Sequence, residues 1–174
     1  MTTEISWLLS VDPGTNSAGW ALWHLDGDLI ELKSWGRLHN AHHASQHDEL
    51  LMSLLPAWDR AHVVVENQWY REPTWKNGQK VYHSAPFNRV QRIIEDRVRW
   101  TAAAEILGAT TELADPGKWI PNMTHGAPGE TPDDRIKWAC SKRWPSVELV
   151  DDENPAVLLG TWWAERPERR LRVR

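Results

Sequence analysis

The order in which short apolar runs and helical stretches alternate constrains the fold of this chain more than any other feature of its sequence. Apolar or β-branched runs of strand length predict six strands, at residues 5–11, 19–23, 29–38, 62–66, 110–113 and 147–150. Apolar residues at helical spacing predict four helices, over residues 48–58, 85–107 and 133–144 and onward from an Asn154 cap. The resulting order, β-β-β-α-β-α-β-α-β-α, is typical of an α/β fold in which a sheet is the scaffold.

Two stretches between these elements are predicted to be loops. Residues 71–84 are polar and rich in turn formers, and residues 121–132 carry Gly and Pro at close spacing. Four histidines precede the first predicted helix: His39, His42, His43 and His47. Zinc binding is one interpretation of such a group. Because no cysteine joins it and the segment is polar, we expect a surface loop instead.

Length and composition indicate one domain in a reducing compartment. The chain has 174 residues, of which 41% are hydrophobic and 25% charged, as in ordinary globular domains. Its single cysteine, Cys140, excludes an internal disulfide. No apolar run reaches the roughly 18 residues of a membrane span, and the N-terminal segment lacks the pattern of a signal peptide. We therefore expect a soluble, cytoplasmic protein.

The net charge of −4 is unevenly distributed along the chain. Residues 1–66 hold nine acids and three bases, and residues 101–165 hold eleven acids and five bases. Residues 71–100 instead hold seven bases and three acids, and residues 166–174 hold five arginines and one glutamate. An acidic body with two basic segments suits a metal site flanked by phosphate-binding surfaces, although solvated helices carry similar charge runs. We expect a main domain over residues 1–165, followed by a basic C-terminal tail.

Acidic residues stand where three predicted elements begin or end. Asp12 follows the first strand in an Asp-Pro-Gly turn, and Glu66 ends the fourth strand. The last helix is preceded by Asp151, Asp152 and Glu153. Carboxylates at one edge of a sheet suit Mg²⁺ or Mn²⁺, and two such ions support phosphodiester hydrolysis. Taken singly, each acid has a structural explanation in a turn, an ion pair or a helix dipole. We favour a metal site because all three positions occur together.

The segments that carry these acids resemble, in order, the motifs of the RuvC-type Holliday-junction resolvases. VDPGTNSAGWALW resembles the first motif, and VVVENQWY resembles the second, in which a strand ends in Glu. ADPGKW followed by DDRIKWACSKRWP resembles the lysine-rich region, and DDENPAVLLGTWW resembles the last motif, an acidic cluster that opens a helix. The resemblance extends over about residues 5–165.

This resemblance implies an RNase H-like fold, with a mixed central sheet flanked by helices, and a homodimer that cleaves branched DNA such as four-way junctions. It also implies two Mg²⁺ ions per subunit, with Mn²⁺ as a substitute. By their place in the motifs, Asp12, Glu66 and Asp152 are the implied catalytic residues and metal ligands, with Asp151 as the alternative to Asp152. We expect the dimer contact on the helix over residues 85–107, whose apolar stripe includes Val90, Ile94 and Val98.

The last motif departs from the family pattern, in which a second acid lies one turn into the helix. Matching Ala156-Val157 to the family's Ala-Leu places Pro155 at that position. A shift by one residue places Asn154 there and makes Asp151 the ligand. Neither residue is a carboxylate, which leaves Glu153 as a candidate. Because a site with fewer carboxylates binds hard cations more weakly, we expect a need for high Mg²⁺ or a preference for Mn²⁺.

Basic residues near these motifs are candidates for contacts with DNA phosphates, which position DNA without reading its sequence. They are Arg71, Lys76, Lys80, Arg89, Arg92, Lys118, Arg135 and Lys137. Lys118 departs from the family pattern, because it precedes the tryptophan of its motif instead of following it.

Motifs and charge together predict a metal-dependent, structure-selective DNA endonuclease of the junction-resolvase type, whose products carry 5′-phosphate and 3′-hydroxyl ends. One alternative is a junction-binding protein of the same fold with weak or lost catalysis, which the absent fourth acid favours. A second is a fragment of an actin-like kinase, since Asp-x-Gly turns also open that fold. That fold requires a second, ATP-binding half, for which we expect 174 residues to be too few.

Overall fold

The computed structural model describes residues 5–39, 44–55, 58–68, 74–77, 79–81, 86–169 and 171–173. The strands in this part of the chain are β1 (Trp7–Asp12), β2 (Ser17–Asp26), β3 (Leu29–His39), β4 (Ala61–Glu66), β5 (Thr74–Lys76), β6 (Gln79–Val81), β7 (Thr110–Ala114) and β8 (Arg172–Val173). The helices are α1 (Ala44–Leu54), α2 (Phe87–Ile106), α3 (Pro116–Met123), α4 (Pro132–Arg143) and α5 (Glu153–Glu165). None of these helices is long and apolar enough to cross a membrane.

Six of the strands form one mixed sheet in the order β7-β4-β1-β2-β3-β8. The hairpin strands β1, β2 and β3 pair antiparallel, whereas β1 with β4, β4 with β7 and β3 with β8 pair parallel. The crossovers from β3 to β4 and from β4 to β7 contain α1 and α2, which is the usual way to connect strands of this kind. The predicted α/β fold with a mixed central sheet flanked by helices is confirmed.

Successive side chains of β1 point to opposite faces of the sheet, and helices cover both faces. Leu9 and Val11 belong to an apolar cluster that includes side chains of α1 and α2. Leu8 points to the other face, into a cluster that includes side chains of α3, α4 and α5. The central strands are therefore buried on both faces, and β4 is buried at every position.

Helix α5 packs closely on the sheet, because the residue of α5 that faces Ser10 and Trp23 is a glycine, Gly160. A Cβ added to Gly160 would lie 2.3 Å from the Trp23 Nε1 and 2.7 Å from the Ser10 Oγ. The Trp23 indole donates to the Ser10 hydroxyl at 2.9 Å, and that hydroxyl donates to the Ala156 carbonyl at 2.7 Å. This buried chain of hydrogen bonds ties β1 and β2 to α5 and determines where α5 begins.

Two predicted loops contain regular structure. Within residues 71–84, β5 and β6 pair antiparallel, with Lys76 opposite Gln79. The Asn-Gly pair at 77–78 is a hairpin signal, and Asn77 has the positive φ of 52° that such turns use. The predicted loop over 121–132 begins later, because α3 extends to Met123. Asp115 caps α3 by accepting from the Gly117 N–H at 2.7 Å.

The last two predicted elements also need correction. Residues 147–150 form no strand, because Pro145 ends α4 and the chain then turns towards α5. Helix α5 starts at Glu153 with Asp152 as its N-cap, so the prediction that Asn154 caps it was wrong. The side chain of Asn154 donates instead to the Val150 carbonyl at 3.0 Å.

The described part of the basic C-terminal segment packs on the body of the protein. β8 adds to the edge of β3, where Leu29 pairs with Arg172. Arg172 also pairs with Asp28 at 2.7 Å, and the Arg169 guanidinium stacks 3.6 Å from the centre of the Trp163 ring. These contacts lie at the end of the sheet opposite to Asp12, since Asp12 pairs with Gly19 at the other end of β2.

A half-buried carboxylate on β7 anchors the end of α5. Glu112 accepts a hydrogen bond from the Arg166 guanidinium at 2.6 Å and lies 3.4 Å from the His62 Nε2. Burial alone would raise the pKa of Glu112, but the neighbouring His62 and Arg166 outweigh it and lower that pKa to about 2. The ionised form of Glu112 therefore stabilises the fold.

We predict that Glu112→Gln lowers the free energy of unfolding at pH 7 by about 1–2 kcal/mol, after allowance for solvent screening. The loss should shrink as the pH falls from about 4.5 towards 2, because Glu112 then takes up a proton in the unfolded wild type while it stays largely ionised in the folded protein. Urea unfolding of both proteins across this pH range measures it. Glu168→Gln is the matched control, because Glu168 is exposed and makes a longer contact with the same arginine, at 3.7 Å. A loss that does not change with pH would contradict the assignment.

Candidate active site

The parallel register of β1 and β4 brings two sequence-predicted acids to one edge of the sheet. Val11 pairs with Val65, and the next residue of each strand is Asp12 or Glu66. Neighbouring strands are about 4.8 Å apart, so the two carboxylates start from adjacent backbone positions. Glu66 is only 3% exposed and Asp12 is partly buried. This pair is the base of the site.

The third predicted acid reaches the same edge through the start of α5. Gly19 pairs with Asp12 across β1 and β2, and a Cβ on Gly19 would lie 1.6 Å from the Asp152 carbonyl oxygen. Only a glycine allows this approach. The Asp152 carboxylate accepts a hydrogen bond from the Ser17 hydroxyl and lies 3.9 Å from the Arg37 guanidinium. Asp12, Glu66 and Asp152 thus line one pocket, as the motifs predict.

The pocket contains more negative charge than these three residues supply. Asp133, from the first turn of α4, and Asp151 also line it. Two bases, Arg89 from α2 and Lys137 from α4, are part of the same lining. An acidic floor with basic side chains at its walls is suited to holding cations and binding phosphate together.

The carboxylates of this pocket destabilise each other's charged forms. Burial raises the pKa of Asp12 well above its usual value, and the charges of Glu66, Asp152, Asp133 and Asp96 raise it further. Burial also raises the pKa of Glu66 to about 7, an effect that Asp133 reinforces. A cation bound between them would offset this repulsion.

Two neighbours orient Glu66. The Gln68 side-chain amide donates to its carboxylate, and Gln68 and the indole of Trp119 both lower the pKa that burial raises. Trp119 is fully buried, and its indole N–H lies beside this carboxylate but outside strict hydrogen-bond geometry. The Gln68 amide is therefore the donor that holds the side chain of Glu66.

The structure separates the roles of the other residues in the last motif. Asp151 is 79% exposed and pairs with Lys137 at 3.0 Å. The Glu153 carboxylate accepts from the Val150 N–H at 2.9 Å, and Glu153 is not among the residues that line the pocket. Pro155, one of the two residues that could stand at the position of the family's second acid, lines the pocket, and the other, Asn154, does not. Asp152, not Asp151 or Glu153, is the member of this cluster with a charge that acts on Asp12.

The predicted phosphate-binding residues are not all at the pocket. Arg89 and Lys137 line it, and Arg92 lines an adjoining cavity with Gly14 and Asp96. Lys118 is exposed beside Gly117, which lines the pocket, and the Arg135 Nε donates to the Thr131 carbonyl at 3.4 Å. The backbones of Lys76 and Lys80 belong to the β5–β6 hairpin. Arg71 lies outside the described residues.

A buried hydrogen-bonded pair supports the turn that follows Asp12. The Asp96 carboxylate accepts from the Gly14 N–H at 3.2 Å and lies 2.7 Å from the His47 Nε2. Both side chains are almost fully buried, and the His47 ring packs edge-on against Trp100 at 5.0 Å. The prediction that the histidine group forms a surface loop was therefore wrong for His47, whereas His42 and His43 lie outside the described residues.

This support was not predicted from the sequence, although the sequence carries a signal for it. Asp96 stands four residues before Trp100 and seven before Ala103, which places an acid on the buried face of α2. An acid in such a position needs a partner. The apolar stripe that starts at Val90 points elsewhere: beyond Val90 it is largely exposed.

The carboxylates of the pocket are the kind of ligand that a divalent cation binds, but they do not surround a common position. Carboxylate oxygens are the ligands that Mg²⁺ and Mn²⁺ prefer. Among the described residues, no three acidic, histidine or cysteine side chains are grouped closely enough to bind one ion as they stand. The Asp152 carboxylate accepts instead from the Ser17 hydroxyl. Binding of an ion would therefore require side chains of the pocket to move.

Solved Holliday junction resolvases share this arrangement of strands and helices. The structure of Thermus thermophilus RuvC superposes with a TM-score of 0.58 at 14% identity, covering 91% of this chain and 95% of that one. The chain has a RuvC-type resolvase fold. The T. thermophilus RuvC complex with a Holliday junction substrate gives a TM-score of 0.59 at 12% identity, with the same coverage. The yeast mitochondrial Holliday junction resolvase Ydc2 gives 0.55 at 10% identity, covering 93% of this chain and 81% of that one.

This likeness lies in the structure and not in the overall sequence. No family model matches the chain. No curated protein matches it either. At 10–14% identity the comparison establishes the fold, and the chemistry has to be argued from the residues of the pocket themselves.

We predict that Asp96→Ala lowers the free energy of unfolding by about 2–4 kcal/mol, because it removes the acceptor of the buried Gly14 N–H and of His47. Asp96→Asn keeps an acceptor oxygen for Gly14 and should cost less. Glu95→Gln is the matched control, since Glu95 is the exposed neighbour on the same helix. Urea unfolding of the three variants measures the effect. Equal losses for Asp96→Ala and Glu95→Gln would show that the turn does not need this support.

Proposed function

We propose that the protein is a metal-dependent, structure-selective DNA endonuclease that hydrolyses phosphodiesters in branched DNA, four-way junctions in particular. The observation that carries the proposal is the pocket in which Asp12, Glu66 and Asp152 meet at one end of a RuvC-type sheet. The solved T. thermophilus RuvC with the same fold is in complex with a Holliday junction substrate. Acids from distant segments and a fold of this type together support a nuclease.

Asp12 and Glu66 are the residues proposed to hold divalent cations, with Asp152 as a third ligand. Bound Mg²⁺, two ions per subunit in this proposal, would activate water and stabilise the negative charge on the departing oxygen. Mn²⁺ is the proposed substitute. The chain's own part is to keep Asp12 on the turn supported by Asp96, and to aim Glu66 with the Gln68 amide. Asp151 has a separate role, since it pairs with Lys137.

Basic residues around the pocket are proposed to position the DNA backbone. Arg89 and Lys137 line the pocket itself, and Arg92 lines the cavity next to it. Lys118 and Arg135 flank the same end of the molecule on α3 and α4. Contacts of this kind neutralise phosphates without reading bases. They suit an enzyme that selects the shape of DNA.

A homodimer is the proposed assembly, with α2 as its contact. The stripe of apolar residues on this helix continues on its outer face through Ile94, Val98, Ala102 and Ile106. Val98 is 50% exposed and Ile106 is 84% exposed. Apolar residues that repeat along one exposed face are typical of an interface. A two-fold dimer would present two like sites to the two symmetric strands of a junction.

One observation favours the alternative of a junction-binding protein with weak catalysis. Neither Pro155 nor Asn154, the two residues that could stand in place of the family's second acid, supplies a carboxylate, and the Glu153 carboxylate is bound to the Val150 N–H. Such a protein would bind branched DNA and cleave it slowly at any concentration of Mg²⁺ or Mn²⁺. The experiment below separates the two functions, because it measures binding and cleavage of the same DNA.

We predict that Asp12→Asn reduces cleavage of a four-way junction by at least about a thousandfold. Binding of the junction should stay unchanged or become slightly tighter, because a negative charge near the phosphates is removed. Nicking in Mg²⁺ and in Mn²⁺, together with a gel-shift titration in Ca²⁺, measures both properties. Asp26→Asn is the control, since Asp26 is an exposed acid at the far end of β2.

Three-way and linear DNAs of the same sequence complete this test. Equal cleavage by the wild type and Asp12→Asn would overturn the active-site assignment. Tight junction binding without cleavage by the wild type would establish the binding protein instead. If linear DNA were cleaved as fast as the junction, the enzyme would not be selective for DNA structure.

For the assembly, we predict that Val98→Glu combined with Ile106→Glu converts a dimer to a monomer at micromolar concentration, because two charges would be buried in an apolar contact. Light scattering after size-exclusion chromatography measures the mass. Met52→Glu is the control, because Met52 is 69% exposed on α1 and lies outside the stripe. A wild-type protein that is monomeric with and without DNA would contradict this contact.

A further inference from the structure

An arginine of α2 contacts the segment of chain that follows β4. The Arg97 guanidinium donates a hydrogen bond to the side-chain oxygen of Asn67. The same nitrogen of Arg97 lies 3.5 Å from the Gln68 carbonyl oxygen. These two acceptors are one and two residues beyond Glu66. Helix α2 therefore holds the chain at the point where it leaves one acid of the pocket.

The contact with Arg97 begins where the sheet stops holding this segment. The last paired residues of β4 and β7 are Glu66 and Ala114, and the Asn67 N–H still donates to the Ala114 carbonyl at 2.8 Å. Gln68 is the next residue, and its side-chain amide donates to the Glu66 carboxylate. By holding the backbone of Gln68, Arg97 fixes the base from which that amide reaches Glu66.

The residue before Arg97 holds the segment of the other acid. Asp96 accepts a hydrogen bond from the Gly14 N–H at 3.2 Å, and Gly14 follows Asp12 by two residues. Trp100, one turn further along α2, is fully buried in the apolar cluster that this helix shares with β1 and β4. This packing places α2 over the two strands, so that two consecutive side chains reach the ends of two adjacent strands.

We propose that Arg97 is a positioning residue of the pocket, which together with Asp96 makes α2 a brace that sets the place of Glu66 relative to Asp12. The inference rests on the proposed function, because it concerns the residues proposed to hold divalent cations. Arg97 is not among the residues that line the pocket. It acts on Glu66 through Gln68.

The chemistry of arginine suits this role. A guanidinium presents several N–H donors in a fixed plane and stays charged at any ordinary pH, so one group can hold two oxygen acceptors together. Both acceptors here, the Asn67 amide oxygen and the Gln68 carbonyl oxygen, are neutral. Hydrogen bonds from a charged donor are stronger than those between neutral groups. Holding a long side chain still costs conformational entropy, which these contacts have to offset.

NMR spectra of the metal-free protein test the contact that carries the inference. We expect Arg97→Met to shift the side-chain amide signal of Gln68 and to speed its hydrogen exchange, because the backbone of Gln68 is no longer held. The spectrum of Gln68→Ala identifies that signal. Arg97→Lys keeps a charged donor and should move the signal less. Arg143→Met is the matched control, since Arg143 lies on α4 and pairs with Glu165.

Calorimetric titration of the DNA-free protein with Mn²⁺ measures the effect on the proposed metal site. We expect Arg97→Met to weaken Mn²⁺ binding about tenfold, as the loss of a group that orients a metal ligand does. Arg97→Lys should recover part of the affinity, and Arg143→Met should bind as the wild type does. In a Gln68→Ala background, Arg97→Met should weaken binding by less than about twofold, because its route to Glu66 is already cut.

The outcomes separate this inference from the proposed function. An unchanged Gln68 signal in Arg97→Met overturns the inference. So does a variant that unfolds more easily but binds Mn²⁺ as tightly as the wild type, since Arg97 would then only stabilise the fold. Equal effects of Arg97→Met with and without the Gln68 side chain also contradict it. A wild type that binds no Mn²⁺ overturns the proposed function, and the Gln68 signal then decides the inference by itself.

Discussion

The parallel pairing of β1 with β4 is the constraint on which the rest of this structure depends. In-register pairing of Val11 with Val65 leaves Asp12 and Glu66 side by side where the strands end, and both lose much of their hydration there. A buried pair of carboxylates costs free energy, and a protein normally avoids it. The surroundings of this pair offset part of that cost. The Gln68 amide donates to Glu66, and the pocket leaves space for a cation.

Close packing elsewhere determines whether the pocket exists at all. Gly160 lets α5 sit on Ser10 and Trp23, and Gly19 lets the first residue of that helix approach the backbone of β2. A displacement of α5 by the width of one methyl group would move Asp152 away from Asp12. The chemistry of the site is therefore a property of the core, and the sheet must be packed correctly before the acids can meet.

The sequence was sufficient to predict the sheet strands that carry the site, and the reason is physical. Asp12 and Glu66 end apolar strands, so their place at one edge follows from strand pairing. Asp96 was not predicted in the same way, because an acid within a charged helix has an ordinary explanation as a solvated side chain. Its role depends on which faces of α1 and α2 pack together, and that is decided by contacts between distant segments.

Local rules also explain the elements that were predicted wrongly. Residues 147–150 have the composition of a strand but pair with no strand of the sheet. The edge position beside β3 is taken by β8. The hairpin of β5 and β6 was hidden in a polar segment, where its Asn-Gly turn was the stronger signal. Propensity identifies a candidate strand, and only tertiary pairing decides whether it forms.

We propose that the Asp12–Glu66 pair binds divalent cations. Anomalous diffraction from crystals soaked in Mn²⁺ is the sharpest test, because the ion is located without reference to activity. We expect a strong anomalous peak within ligand distance of both carboxylates, about 2.0–2.4 Å from their oxygens, and no comparable peak in crystals of Asp12→Asn. Mn²⁺ bound elsewhere on the protein, with Asp12 and Glu66 left free at millimolar metal, would contradict it.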